Sequence, residues 1–182
     1  MTQLTLEIKR LSPNATLPTR AHFNDSGLDI YAAEDVIVEP GETVVVKTGI
    51  AVKLPPGHDA YIKPRSGVST KTKLRVVSPP IDAGYRGEIG IILDNIAIPN
   101  YDVTYTDLDG YFAIPERYTE LLTLDGAIQT EQGYVEGTYL IRKGDRIAQL
   151  VVTPVALPQV VEVDELDETE RGDSGYGASG VR

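Results

Sequence analysis

Asp82 and Tyr85 stand three residues apart in Ile81-Asp82-Ala83-Gly84-Tyr85-Arg86-Gly87-Glu88. A carboxylate beside a tight turn at the mouth of a strand can orient and deprotonate a water. An unperturbed Asp has a pKa of about 3.9, so such a base is weak and acts mainly through its placement. A second pattern is Lys63-Pro64-Arg65-Ser66-Gly67. Pro sets the turn and Gly lets backbone approach a ligand, while Arg65 and Ser66 offer a charged fork and a hydroxyl to phosphate oxygens. Taken alone, each pattern is also that of an ordinary surface turn.

Asp29 alternates with Leu28 and Ile30 in Asp25-Ser26-Gly27-Leu28-Asp29-Ile30. An inward carboxylate is costly unless it is paired or near a metal, so Asp29 is either structural or a support for hydrated Mg²⁺. Gln149, an amide inside the apolar run after Lys143-Gly144-Asp145-Arg146, also needs a partner. The tail from Arg171 to Arg182 holds Gly175-x-Gly177-x-x-Gly180. A dinucleotide fingerprint needs a strand before it and a helix after it, and only two residues follow here, so that reading fails. A Walker A reading fails too, because Val181 stands where Lys is required. What remains is a Gly-rich flexible arm whose N–H groups, Arg171 and Ser179 could wrap phosphates, with Tyr176 offering a stacking face. A disordered tail is the bland alternative.

The elements that must position these groups are strands. Val44 and Val46, then Ile50 and Val52, follow a period of two, and Ile89–Leu93 and Ile147–Val152 are denser apolar runs typical of buried strands. The 17 Gly and 12 Pro fall between such runs as turn signals. Many short, punctuated strands imply an all-β sandwich, barrel or jelly roll. Glu116–Leu124 is the best helix candidate. Residues 96–137 differ in composition, with eight acids, one base and five of the ten tyrosines. Residues 161–170 carry six acids and read as a solvated linker.

Composition narrows the classes. The 182 residues suffice for one domain with a sizeable core. There is no Cys and there are two His, which excludes a disulfide framework and argues against a histidine-rich zinc site. A net charge of −10 opposes nucleic-acid binding through phosphates. No signal peptide or apolar span is evident, so the expected location is the cytoplasm.

In order, DSGLDIYAA, PRSGVSTK, IDAGYRGEIG, KGDRIAQLVV and RGDSGYGASG resemble the five motifs of the homotrimeric dUTPase family. The resemblance spans residues 25 to 180. It implies a jelly-roll barrel protomer, a homotrimer with a flexible C-terminal arm, and sites built from all three chains. It implies Mg²⁺-dependent hydrolysis of dUTP to dUMP and pyrophosphate, with Asp82 as the general base. Arg65, Ser66, Gly67 and Gln149 would bind phosphates, and Tyr85 would pack on the deoxyribose. Pro80 and Ile81 would border the base, and Arg171, Tyr176, Gly177 and Ser179 of the arm would close the site. Asp29 would reach Mg²⁺ through water, the metal being held mainly by the substrate phosphates.

On this reading residues 1–95 and 138–160 form the core, 96–137 an insertion, and 161–182 the linker and arm. Three departures stand out. Tyr176 stands where the family commonly has Phe. Val76 replaces a frequent Asn, and Pro79-Pro80 stiffens the approach to Asp82, which leaves the path of the uracil hairpin open. The insertion is acidic and Tyr-rich, as protein-binding surfaces can be, and resembles those of temperate-phage dUTPases, some of which bind repressor proteins. It is the expected site for a repressor-like partner; a decorative subdomain is the alternative. A dCTP deaminase and a nucleotide-gated binding module are the competing functions.

Overall fold

The computed structural model describes residues 4–98, 101–107, 110–115 and 117–174. Its strands are β1 (Glu7–Arg10), β2 (Leu28–Tyr31), β3 (Val36–Val38), β4 (Thr43–Lys47), β5 (Ile50–Lys53), β6 (His58–Pro64), β7 (Leu74–Val77), β8 (Pro80–Ile81) and β9 (Gly90–Asn95). They continue as β10 (Tyr101–Asp107), β11 (Gly110–Pro115), β12 (Arg117–Thr123), β13 (Ile128–Val135), β14 (Tyr139–Ile141) and β15 (Arg146–Pro154). Among the described residues the one helix is α1 (Ser66–Lys71). The expected all-β class is what the chain adopts, although the ladders do not close into a continuous barrel.

The sheet that carries most of the site runs β2-β15-β6-β8. Its centre is β15, which pairs antiparallel with β2 and β6. A turn launches it: Gly144 takes φ +89° and Asp145 Oδ2 accepts from Arg142 N at 2.8 Å. Ile147, Ala148 and Leu150 then face a core shared with Ile30 of β2, Ile62 of β6, Val46 of β4, Ile91 and Leu93 of β9 and Ile141 of β14. Each of the Ile, Leu and Val side chains among these contributes roughly 1.5–3 kcal/mol when fully buried. The inward residues of three sheets therefore make one core, with polar residues alternating outward.

The segment Glu116–Leu124, expected as a helix, is instead occupied by β12. Tyr, Thr and Leu suit a pleated half-buried surface, and Asp125-Gly126 closes a hairpin to β13. Gly126 takes φ +85°, and Asp125 Oδ1 accepts from Ala127 N at 3.2 Å. β12 also pairs in parallel with β14, which pairs with β3, giving the order β13-β12-β14-β3. The hairpin thus continues a core sheet, and Leu121 is buried. β10 and β11 form a separate two-stranded ladder. Asn95, 1% exposed, spans the ends of the inserted stretch by donating to Val38 O at 3.0 Å and Gly137 O at 2.8 Å.

Candidate active site

Asp29 lies on β2 directly across from Gln149 of β15, which faces Lys63 of β6. The carboxylate is 3% exposed and is answered from three sides. Arg65 Nε donates to Oδ1 at 3.0 Å, Gln149 Nε2 to Oδ1 at 3.2 Å, and Arg146 Nη1 to Oδ2 at 3.4 Å. Arg65 also donates to Arg146 O at 3.0 Å. The buried charge therefore fixes two guanidinium groups and one amide, the residue types that bind phosphate oxygens. Gly27 makes room for this packing, since a Cβ there would meet Gln149 Cβ and Cδ at 3.0 Å.

Ser66 and Gly67 open α1, immediately after Arg65. The helix is six residues of poor formers, and no side chain caps its start. Thr70 Oγ1 donates to Ser66 O at 2.8 Å, Thr72 Oγ1 to Val68 O at 2.7 Å, and Val68 is buried beneath. Tertiary packing rather than propensity holds the turn. Ser66 and Gly67 are exposed.

Asp82 follows the short strand β8, whose Ile81 pairs with Ala60 of β6. Tyr85 N donates to Asp82 O at 3.3 Å and closes the turn. The Asp82 side chain is exposed and makes no hydrogen bond among the described residues. It borders a 220 Å³ pocket walled by Ile62, Val77, Pro79, Pro80, Ile81 and Tyr85. Tyr85 Oη donates to Glu88 O at 3.0 Å, which lays the ring over Gly87. A Cβ at Gly87 would fall 2.6 Å from Tyr85 Cζ, so the ring's position needs glycine there. Nearby on β6, Tyr61 has its phenol raised above the ordinary tyrosine value of 10.0 by hydrogen bonding to Asp59, then by the charges of Asp59 and, more weakly, Asp82. Lys63 Nζ sits 5.0 Å from the Tyr61 ring centre.

The two halves do not meet within one chain. Since Ile81 pairs with Ala60, Asp82 lies level with Asp59, and Arg65 is six residues further along. At ~3.3 Å per residue that is roughly 20 Å, a distance no triphosphate spans. The Arg65 side chain also turns toward β2, away from β8. Arg65 and Gly67 line a different cleft of about 580 Å³ with Lys71, Arg142 and Arg146. Its far wall is the β12–β13 turn, including Leu124, Asp125 and Ile128. The Asp125 carboxyl is held below its usual range by the Thr123 hydroxyl, then by Ala127 N–H, with Lys71 adding its charge.

Arg171 lies in the exposed irregular stretch after β15, its Nε donating to Ser174 O at 3.3 Å, apart from both pockets. Tyr176, Gly177 and Ser179 fall outside the described residues. Among the described residues no group of three or more His, Asp or Glu could hold a metal. Asp29 has three of about four lone-pair positions filled, which leaves one for a water. That donor set fits a hydrated Mg²⁺ carried on phosphates, not a protein cage. Gly27, Gly87 and Arg146 were missed as site residues by sequence reasoning. Their signal was available, because each falls inside one of the quoted motifs.

Concentrated positive charge in one place and a small slot of mixed apolar and polar lining with a free carboxylate in another suit a ligand of the same make-up. A nucleoside phosphate is the biological class that has it, so fold and site define an all-β nucleotide-site protein. The dUTPase family profile matches residues 13–107 and 135–180. The deoxyuridine 5'-triphosphate nucleotidohydrolase of Nocardia farcinica is 42% identical over 177 residues, 96% of this chain and 85% of the relative. That of Clostridium tetani is 37% identical, covering 99% of each. A mutant dUTPase of Staphylococcus bacteriophage 80alpha with dUpNHpp superposes with TM-score 0.82 at 39% identity, covering 97% of this chain and 99% of that one. The dUTPase of phage phi11 of S. aureus, solved to visualise its species-specific insert, gives 0.77 at 38%, covering 91% and 99%. The chain belongs to the dUTPase family, and its fold is that family's jelly roll.

Proposed function

We propose that this protein hydrolyses dUTP to dUMP and pyrophosphate. The observation that carries the reading is the Asp82 carboxylate, without a partner among the described residues, at the lip of a small pocket with Tyr85. Asp82 orients a water and takes its proton as the water oxygen bonds to the α-phosphorus. The bond from that phosphorus to the bridging oxygen breaks, and pyrophosphate leaves. Tyr85 packs against the deoxyribose and leaves no room for a 2′-hydroxyl. Arg65, Ser66, Gly67 and Gln149 hold the phosphates, and Arg146 adds a further guanidinium. Arg171, Tyr176, Gly177 and Ser179 close over the nucleotide and exclude water. Bound Mg²⁺ would neutralise phosphate charge, with Asp29 placed to accept from one of its waters. Phosphoanhydride cleavage of this kind is positioning plus charge stabilisation and needs no covalent nucleophile.

The roughly 20 Å between Asp82 and Arg65 supports a site shared between protomers, as in a homotrimer, with the phosphate cradle of one chain facing the pocket of another. The acidic protomer then meets its anionic substrate with cations borrowed from a neighbour. The test is pyrophosphate release from dUTP, dCTP, dTTP and UTP with Mg²⁺, for wild type and Asp82→Asn. Turnover of dUTP alone, abolished by the substitution, is the expected result. Turnover of dCTP to dUTP would instead identify a deaminase.

A second role rests on the insertion. Its net charge of −7 over residues 96–137, its five tyrosines and the nearness of the β12–β13 turn to Arg65 and Gly67 support a protein-binding surface that responds to nucleotide. Structures of the Staphylococcus bacteriophage 80alpha dUTPase and of a tyrosine-to-phenylalanine mutant of it, similar to this chain, are described under the statement that phage dUTPases control transfer of virulence genes by a G protein-like mechanism. A repressor-like partner with a basic face is the reading we favour. Replacing residues 102–114 of the separate β10–β11 ladder by a short turn, with β12 and β13 kept, should abolish its binding and spare hydrolysis; unchanged binding would refute the role.

A further inference from the structure

Helix α1 holds itself poorly. It has six residues, no side chain caps its start, and Gly67, Val68 and Thr70 are weak helix formers. Its far end is held from outside. Arg75 of β7 turns its guanidinium back over the helix. Its Nη1 donates to Leu74 O at 2.8 Å, to Thr72 O at 3.1 Å and, at longer range, to Ser69 O at 3.4 Å. Arg75 stands opposite Asp94 of β9 in the ladder, yet among the described residues no carboxylate forms an ion pair with it. A cation at the end of a helix satisfies carbonyls that the helix leaves open and complements its dipole.

A second group grips the same end. Tyr139 of β14 is buried, and its Oη accepts from Lys73 N at 2.9 Å. The exit of the helix is thus fixed between β7 and β14. Hydrogen bonds carry that fixation back to the start. Ser69 N donates to Arg65 O at 3.0 Å, and Thr70 Oγ1 donates to Ser66 O at 2.8 Å. Gly67 and Lys71, four residues apart on one face of α1, line the cleft beside Arg65. Arg75 and Tyr139 line neither that cleft nor the Asp82 pocket, so each acts on a ligand through α1.

We infer that Arg75 and Tyr139 are positioning residues, which clamp the end of α1 and so set where Arg65, Ser66 and Gly67 meet the phosphates. The inference rests on the dUTPase reading of that cradle, and both residues lie outside the five quoted motifs. A turn already fixed binds without first losing the freedom of a frayed helix, so the clamp acts on affinity. It leaves Asp82 and its pocket alone. Phosphate recognition therefore depends on it, and recognition of base and sugar does not.

The experiment compares wild type with Arg75→Ala, Arg75→Lys and Tyr139→Phe. It reads steady-state kinetics on dUTP, calorimetric binding of dUpNHpp, inhibition of hydrolysis by deoxyuridine, and thermal melting of the nucleotide-free proteins. Deoxyuridine carries base and sugar without phosphates and so reports the pocket alone. We expect Arg75→Ala to raise the dUTP KM and weaken dUpNHpp about tenfold, the scale of one lost hydrogen bond from a charged group. Arg75→Lys should recover part of this, since an ammonium still reaches a carbonyl. Tyr139→Phe keeps the ring's packing and removes one acceptor. It should weaken dUpNHpp about threefold, with a melting temperature close to that of wild type. The inhibition constant of deoxyuridine should hold in all three. Equal losses for dUpNHpp and deoxyuridine, or unchanged dUpNHpp affinity in both Arg75→Ala and Tyr139→Phe, overturns the inference, since the clamp would then serve stability alone. Wild type that fails to turn over dUTP would refute the dUTPase reading itself, a result separate from any effect of the clamp.

Discussion

Arg65 and Asp29 lie 36 residues apart in the chain and meet at 3.0 Å through Nε and Oδ1, with the carboxylate 3% exposed. On the proposed function the pair is structural and functional at once. Asp29 aims the guanidinium, and the guanidinium makes a buried charge tolerable. Arg65→Ala should therefore weaken folding as well as phosphate binding. We expect a loss of about 2 kcal/mol by urea unfolding, less than an isolated buried pair because Arg146 and Gln149 still face Asp29. Arg65→Lys should recover part of the stability and little of the binding, since an ammonium lacks the planar fork. Wild-type stability in Arg65→Ala would refute the pairing.

The two glycines that the site packs against give sharper tests. Gly87→Ala puts a Cβ into the Tyr85 ring, which must move off the position held by its bond to Glu88 O. The expected outcome is a dUTP KM raised about tenfold, with UTP, which the proposed Tyr85 contact would reject at the sugar, gaining relative to dUTP. A ratio of UTP to dUTP turnover that stays at the wild-type value would show that Tyr85 does not read the sugar. Gly27→Ala presses on Gln149 instead and should raise KM without altering sugar choice.

The proposed sharing of the site between protomers is measurable by mixing. Asp82→Asn and Gln149→Ala should each be nearly inactive alone. Unfolded and refolded together, they should regain activity, because some interfaces then combine an intact pocket from one chain with an intact cradle from another. Absence of any recovery, with mixed assembly demonstrated, would place both halves of the site in one chain.

Tyr61 provides a pH observable. Hydrogen bonding to Asp59 raises its phenol above 10.0, so the folded state holds that proton more tightly than the unfolded state. The associated stabilisation is complete below pH 10 and is lost as pH rises through the higher folded value. Ultraviolet titration should show one late-ionising tyrosine, absent in Tyr61→Phe and returned toward the ordinary value in Asp59→Asn.

Much of this was legible in the residues. The alternation around Val44–Val52, the dense run of Ile147–Val152 and the inward Asp29 of β2 all reflect a pleat with one buried face, a local property. The turn at Lys143-Gly144 was equally local. The error at Glu116–Leu124 has a different source. That segment carries helix-compatible Glu and Leu, and its state was decided by a ladder to β13 and by β14, a partner absent from its own sequence window. Helix α1 was hidden for the opposite reason, since Gly67, Val68 and Thr70 are weak helix formers held by packing. The separation of Asp82 from Arg65 was invisible because motif order in a chain carries no distance.

The parallel pairing of β12 with β14 gives the inserted hairpin a duty independent of any partner. Without it, β14 would become the rim of its sheet, presenting unpaired backbone groups beside the apolar Tyr139 and Ile141. Such a bare rim invites pairing with other molecules and aggregation. The hairpin therefore guards solubility, and its tip is freer to diversify than its stem. Lineages could exchange partners by rewriting the tip, while loss of the stem would be removed by precipitation before any question of recognition arose.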